Sequence, residues 1–389
     1  MTTTTTLPNV GANQGANPLK GLLAYGQSPW MDYIRRDLLL GGGLKKMIDN
    51  DGLRGMTSNP TIFEKAITGS KNYADILDSA EAKKLDAKDI YEKIAIRDVQ
   101  DATDIFKPVY AESKRRDGYV SLEVSPFLAN DTQGTIEEAR RLWKSVNREN
   151  LMVKVPATKE GIPAIRQLLE DGLNINITLL FAQSAYEQVA EAYLAALEAR
   201  AKKSQDISHI ASVASFFVSR IDTLIDGQID AKLKTVTDAN QRTLLSSVEG
   251  KIAIANAKLT YRKYQELFGG PRWKALAAKG AQTQRLLWAS TSTKNPKYRD
   301  VLYVEELIGA DTVDTIPPAT FDAFRDHGKL RPSLTENVDA AATIMANLEK
   351  AGISMKEATE KLVVDGVKLF ADAFKALLEA TGKTAGVHA

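Results

Sequence analysis

The chain of 389 residues carries 51 basic and 49 acidic side chains, a formal net charge of +2, with no basic block. That balance excludes an electrostatic footprint for nucleic acid or anionic membrane and points to small-molecule partners. The absence of cysteine excludes disulfides, thiolate metal sites and a cysteine nucleophile, and His209, His327 and His388 stand too far apart in sequence for a histidine-rich metal centre.

Residues 1–17, five threonines after Met1 and then a Gly/Asn/Pro-rich stretch, lack the basic start and apolar core of a signal peptide and read as a flexible leader. No run of about 18 apolar residues follows anywhere, so no membrane span is expected and the protein is expected in the cytoplasm.

From residue 18 to 385 short apolar strands alternate with amphipathic helices, the pattern of a parallel α/β domain. Strand candidates in chain order are Trp30–Asp32, Gly55–Ser58, Val120–Val124, Val153–Val155, Asn176–Leu180, Ser212–Phe217, Leu286–Ser290 and Thr312–Ile316. Eight strands with helices between them predict a single (β/α)8 TIM barrel. Residues 64–118 and 228–284 exceed a minimal connection and read as helical insertions within that one domain. Between Phe181 and Lys202, the residues Tyr186, Val189, Ala190, Tyr193, Leu194 and Leu197 recur at helical spacing, a stripe that packs on the barrel and binds nothing. Pro163 in a first turn and Gly172 at a C-cap frame a helix between the fourth and fifth strands. The tail from Leu334 to Leu378 carries two more amphipathic helices, expected to pack on the barrel.

The fourth strand holds the most informative residue, Lys154, set in Leu151-Met152-Val153-Lys154-Val155-Pro156. A charged amine in an apolar strand is costly without a purpose, and loss of solvent favours the neutral amine that adds to a carbonyl. The competing reading is a lysine that pairs with a carboxylate at the strand's end. Barrel enzymes gather their side chains at the C-terminal ends of strands, so the polar residues there matter most: Asp32, Thr57 with Asn59, Glu123, Lys154, Asn176 with Thr178, Ser215, and Ser290 with Ser292. One amine and two carboxylates, Asp32 and Glu123, supply what making and breaking a carbon–carbon bond through an imine requires. The protonated imine is itself the electron sink, so neither metal nor cofactor is called for.

Four blocks resemble the signatures of the transaldolases: Gly55-Met56-Thr57-Ser58-Asn59-Pro60-Thr61-Ile62-Phe63, the lysine strand, Asn174-Ile175-Asn176-Ile177-Thr178-Leu179-Leu180-Phe181, and Ala214-Ser215-Phe216-Phe217-Val218-Ser219-Arg220-Ile221-Asp222. They stand in the family's order over about residues 28–320. The resemblance implies a class I aldolase barrel that moves a dihydroxyacetone unit from sedoheptulose 7-phosphate to glyceraldehyde 3-phosphate in the non-oxidative pentose phosphate pathway, giving erythrose 4-phosphate and fructose 6-phosphate. It implies Lys154 as the Schiff-base lysine, Glu123 as the carboxylate activating water, Asp32 as the acid/base at the C4 hydroxyl, and Thr178 as the group orienting that water. It further assigns substrate contacts to Asn59, Thr57, Asn176, Ser215, Phe217 and Ser290, and phosphate binding to Arg220.

One block departs from the shorter members of the family. Where those carry an arginine soon after a serine, this chain reads Ser290-Thr291-Ser292-Thr293-Lys294-Asn295-Pro296, so Lys294 is the expected second phosphate cation. Two alternatives stand beside the transferase reading. Fructose 6-phosphate aldolases share the barrel and lysine, but they carry a tyrosine where this chain has Phe217 and lack the glutamate at Glu123. A catalytically silent sugar-phosphate-binding barrel is the other, since fold alone does not establish activity. Whether the chain is a monomer or a homodimer is left open.

Overall fold

The computed structural model of the protein describes residues 17–387 apart from Gly69, Ala80 and Glu81. The expected leader lies outside the described residues except for Asn17, whose side chain caps the first helix, and His388 also lies outside them.

Eight strands form a closed, all-parallel barrel in sequence order: β1 (Gln27–Asp32), β2 (Gly55–Thr57), β3 (Tyr119–Glu123), β4 (Leu151–Pro156), β5 (Ile175–Leu180), β6 (Ser212–Phe217), β7 (Arg285–Ala289) and β8 (Thr312–Ile316). Each expected strand is present; β6 and β8 keep their expected bounds, β1 starts three residues earlier than expected, and the other ends shift by at most two residues. Ser290 stands just past β7 rather than within it. All eight strands are buried on both faces apart from Asp32, as a parallel sheet covered by helices requires. At the β1–β2 contact a side chain on Gly55 would stand 2.4 Å from the Trp30 indole, so only hydrogen fits there.

The helix after β4 spans Gly161–Asp171 and closes on Gly172 in the left-handed region, at φ 100°. The next, Gln183–Lys202, buries the expected stripe. The insertion after β2 resolves into helices Pro60–Thr68, Ala74–Leu77 and Ala87–Glu112. The one after β6 resolves into Ser219–Leu233, Ala239–Val248, Ile252–Gly269 and Pro271–Ala277. In the tail, Val338–Lys350 is followed by a 31-residue helix, Met355–Ala385, which packs on Pro60–Thr68, Ala87–Glu112, Ser219–Leu233 and β5. This last helix crosses the C-terminal end of the barrel.

The opposite end is plugged. Arg285 donates to Asp117 at 2.8 Å and to Ser28 at 2.8 Å, and Ser28 donates to Asp117 at 2.9 Å. This buried, mutually satisfied network leaves the C-terminal end as the entrance. Among the described residues no helix is long and apolar enough to cross a membrane.

Candidate active site

Register explains why the polar residues meet. In parallel strands, residues opposite one another face the same side of the sheet. Glu123 of β3 lies opposite Lys154 of β4, Lys154 opposite Asn176 of β5, and Asp32 of β1 opposite Thr57 of β2. One row of inward side chains therefore carries the amine with a carboxylate on one flank and an amide on the other.

Lys154 Nζ lies 3.5 Å from Glu123 Oε2 and donates to the Ser58 carbonyl at 3.3 Å. Both side chains are buried, at 7% and 6% exposure. Glu123 Oε2 makes no well-formed hydrogen bond, so the pair is a charge contact that leaves this oxygen without a hydrogen-bond donor. Burial pushes the Glu123 carboxyl up, and the Lys154 charge offsets this only in part. Thr57 Oγ1 donates to Asp32 Oδ1 at 2.8 Å, fixing the second carboxylate at the barrel's rim.

The backbone is strained where the site needs it. Between Ile177 and Leu180 the pairing of β5 with β6 slips, and Leu179 takes φ +62°, a left-handed conformation unusual for leucine. The bulge leaves Thr178 Oγ1 in the site, buried and without a partner, and presses Leu179 against Gly366 of the long C-terminal helix, where a Cβ would come within 2.9 Å. Ser290, at φ +59°, is the second such residue at a strand end and shares a 2.8 Å hydrogen bond with Ser219. Left-handed non-glycine residues of this kind cluster at functional sites.

Above the row opens a cavity of about 140 Å³ lined by Asp32, Thr57, Asn59, Lys154, Thr178, Ser215, Phe217, Arg220, Ser290, Lys294 and also Ser292, Thr315, Pro317 and Phe370. Eleven of the thirteen residues singled out from sequence line it. The remaining two, Glu123 and Asn176, stand behind the lining. Asn176 donates to Ser121 Oγ at 3.0 Å and accepts from Ser215 Oγ at 2.7 Å, so its side chain is held by β3 and β6 and presents Ser215 to the cavity. Asn59 serves two ends: its Oδ1 accepts from Ile62 N at 3.0 Å as the cap of Pro60–Thr68, which leaves its NH2 for the cavity.

Arg220 is the cation of the site. Its guanidinium lies 5.1 Å from the Phe217 ring and 5.7 Å from the Phe370 ring, with no carboxylate in ion-pair reach among the described residues. Burial lowers its pKa, and the fields of Asp32 and Glu123 act against that shift. Lys294 stands at the exposed edge of the cavity with Nζ 2.7 Å from Ser292 Oγ, and it too has no carboxylate in ion-pair reach among the described residues.

Phe370 is the residue that sequence reasoning missed. Its ring also lies 5.7 Å from Lys154 Nζ, so one aromatic face roofs both the amine and Arg220. It sits in an ordinary amphipathic pattern far from every motif, and only the path of the last helix brings it to the barrel mouth. Thr315 and Pro317, at the end of β8, carry no chemical signal of their own.

An amine, two carboxylates, a set of hydroxyl and amide groups and an unpaired guanidinium can hold a polyhydroxylated anion and form an imine with its carbonyl. A family model described as transaldolase/fructose-6-phosphate aldolase matches residues 29–381. A transaldolase of Trichodesmium erythraeum is 51% identical over 356 residues, 91% of this chain and 93% of that one. Transaldolases of Thiobacillus denitrificans and Neisseria gonorrhoeae are 45% and 42% identical, over 94% and 92% of this chain and 100% and 98% of theirs.

Proposed function

The chain belongs to the transaldolase/fructose-6-phosphate aldolase family, and on that premise we propose that it is a transaldolase. It transfers a dihydroxyacetone unit from sedoheptulose 7-phosphate to glyceraldehyde 3-phosphate, reversibly, giving erythrose 4-phosphate and fructose 6-phosphate. The observation that carries the reading is Lys154, buried in the row of β3, β4 and β5 side chains 3.5 Å from Glu123.

In this reading Lys154 Nζ adds to the C2 carbonyl of the donor. Glu123, whose carboxyl burial pushes up, gives a proton to the departing C2 hydroxyl, which leaves as water while the nitrogen lone pair closes the imine. Asp32, fixed by Thr57, takes the proton of the C4 hydroxyl, and the C3–C4 bond breaks into the iminium. The acceptor aldehyde then reverses these steps. Thr178 orients the water beside Glu123; the reading is supported by the two unpartnered oxygens, Thr178 Oγ1 and Glu123 Oε2. Asn59, Ser215 and Ser290 hold hydroxyls of the three-carbon unit, with Asn176 setting Ser215 and Thr57 setting Asp32. Arg220 and Lys294 bind the phosphate, and Phe217 excludes water from the retained enamine. Phosphorylated sugars do not cross membranes unaided, so the reading includes a cytoplasmic location.

Incubation with fructose 6-phosphate, reduction with borohydride and peptide mass analysis test it. A reduced three-carbon adduct on the Lys154 peptide is the expected result. A folded protein that gives no adduct overturns the assignment.

A further inference from the structure

A second cavity adjoins the site from outside the barrel wall. It is bounded by Leu122 and Glu123 of β3, by Tyr91 and Ala95 of the Ala87–Glu112 helix, and by Phe374 of the last helix, and its volume of about 10 Å³ matches one water molecule. Glu123 lines this cavity and not the larger one, while its Oε2 stands 3.5 Å from Lys154. The carboxylate is therefore the partition between the two spaces. Beyond it the small cavity ends on a network of charges: Lys88 donates to Glu138 at 2.5 Å and Arg141 to Glu92 at 2.7 Å. Lys88 and Arg141 are 36% and 46% exposed, so the network reaches solvent. The Tyr91 ring is packed edge-to-face between Phe63 and Phe374, at 5.6 and 5.5 Å, and its hydroxyl feels the field of Glu123.

The imine cycle must expel one water and admit one water per transfer while a sugar phosphate fills the mouth beneath Phe370. We propose that this water passes between Glu123 and solvent through the small cavity, with the Tyr91 hydroxyl as its protein partner there, so that water and substrate reach Lys154 by separate routes. The chemistry balances at Glu123. On dehydration the C2–O bond of the carbinolamine breaks and the hydroxyl leaves with the Glu123 proton; on hydrolysis a water from the cavity returns that proton as its oxygen bonds to C2. The dense lining otherwise admits nothing larger, and a single unpartnered carboxylate oxygen is what a transient water needs.

This inference rests on the imine reading, and the test separates the two. In water enriched in oxygen-18, the enzyme exchanges the C2 oxygen of fructose 6-phosphate each time the imine forms and hydrolyses. Ala95→Leu fills the cavity, and Tyr91→Phe removes the hydroxyl while keeping the ring stack. Each is expected to slow oxygen exchange and kcat by about tenfold, the order of one lost hydrogen bond in a transition state, with KM for fructose 6-phosphate and thermal unfolding unchanged for Tyr91→Phe. Exchange at the wild-type rate in folded Tyr91→Phe overturns the separate route, as does unslowed exchange in Ala95→Leu. Should Ala95→Leu fail to fold, Tyr91→Phe alone decides. Borohydride trapping on Lys154 of the wild type distinguishes failure of the route from failure of the imine reading, since a trapped adduct with unslowed variants removes only the former.

Discussion

Replacing Arg220 by alanine tests the anion site most directly, because the structure isolates its effect. The guanidinium is held between Phe217 and Phe370 and is not committed to any carboxylate, so its loss leaves no protein charge stranded. A charge-assisted hydrogen bond to a phosphate contributes about 1.5–3 kcal/mol, which corresponds to roughly a 10- to 150-fold change in affinity. The rate of imine formation on single turnover, followed by borohydride trapping, gives kcat/KM for the donor without an acceptor present. For fructose 6-phosphate this value should fall by roughly 10- to 150-fold, mainly through KM. For unphosphorylated fructose it should change little, because nothing is left for the arginine to bind. A small common loss is expected as well, since Arg220 lowers the Glu123 pKa and its removal lets that pKa rise further. Arg220→Lys keeps the charge but loses the planar fork and its stacking, and should recover only part of the phosphate effect. Equal losses for the two donors would refute the assignment and move the phosphate elsewhere.

Lys154→Ala should abolish turnover and leave the circular dichroism and unfolding of a folded protein, because the buried Glu123 answers the loss of its counter-charge by keeping a proton; residual turnover at the wild-type rate would remove the imine mechanism. Phe217→Tyr places a hydroxyl at the cavity beside Arg220 and is expected to raise free aldol cleavage relative to transfer, measured as the ratio of released dihydroxyacetone to transferred product; an unchanged ratio counts against the role given to this ring. Stability should fall as pH rises from about 4 to 8 in part through Asp314 and Asp222, whose carboxyls burial pushes up to about 8 and about 7. The sign follows from linkage: below the ordinary carboxyl pKa both states hold the proton, and between there and the raised values only the folded state does, so each group costs up to about 1.4 kcal/mol per pH unit. The Asp314 share disappears in Asp314→Asn, which keeps the shape that accepts from Thr291, so the urea midpoints of the two proteins should converge toward pH 5 and separate toward pH 8; parallel midpoints would contradict it.

The polar residues at strand ends were legible because period and chemistry coincide in them. Lys154 stands out against four apolar neighbours, and Asp32, Glu123 and Ser215 recur at the same place in other strands, so a list of inward groups could be drawn without coordinates. That list was less informative about function within the list. Asn176, expected as a substrate contact, also bonds Ser121 and Ser215, and Glu123, expected as the carboxylate activating water, lines a second space behind Lys154. The Leu179 bulge left no local mark, because leucine has no preference for the left-handed backbone it adopts there and only the packing of Gly366 and the last helix holds it.

By itself the sequence determined the eight-stranded barrel, the polar residues that stand at its strand ends and, through its motif blocks, the family, because hydrophobic period and residue identity are local properties of the chain. The tertiary structure alone decided which of those groups touch the cavity, what roofs it and what lies behind it. Phe370 closes over Lys154 and Arg220 because a 31-residue helix with nowhere else to bury its apolar face lies across the barrel mouth. That is a relation between parts of the chain far apart in sequence, set by burial and register rather than by any local pattern.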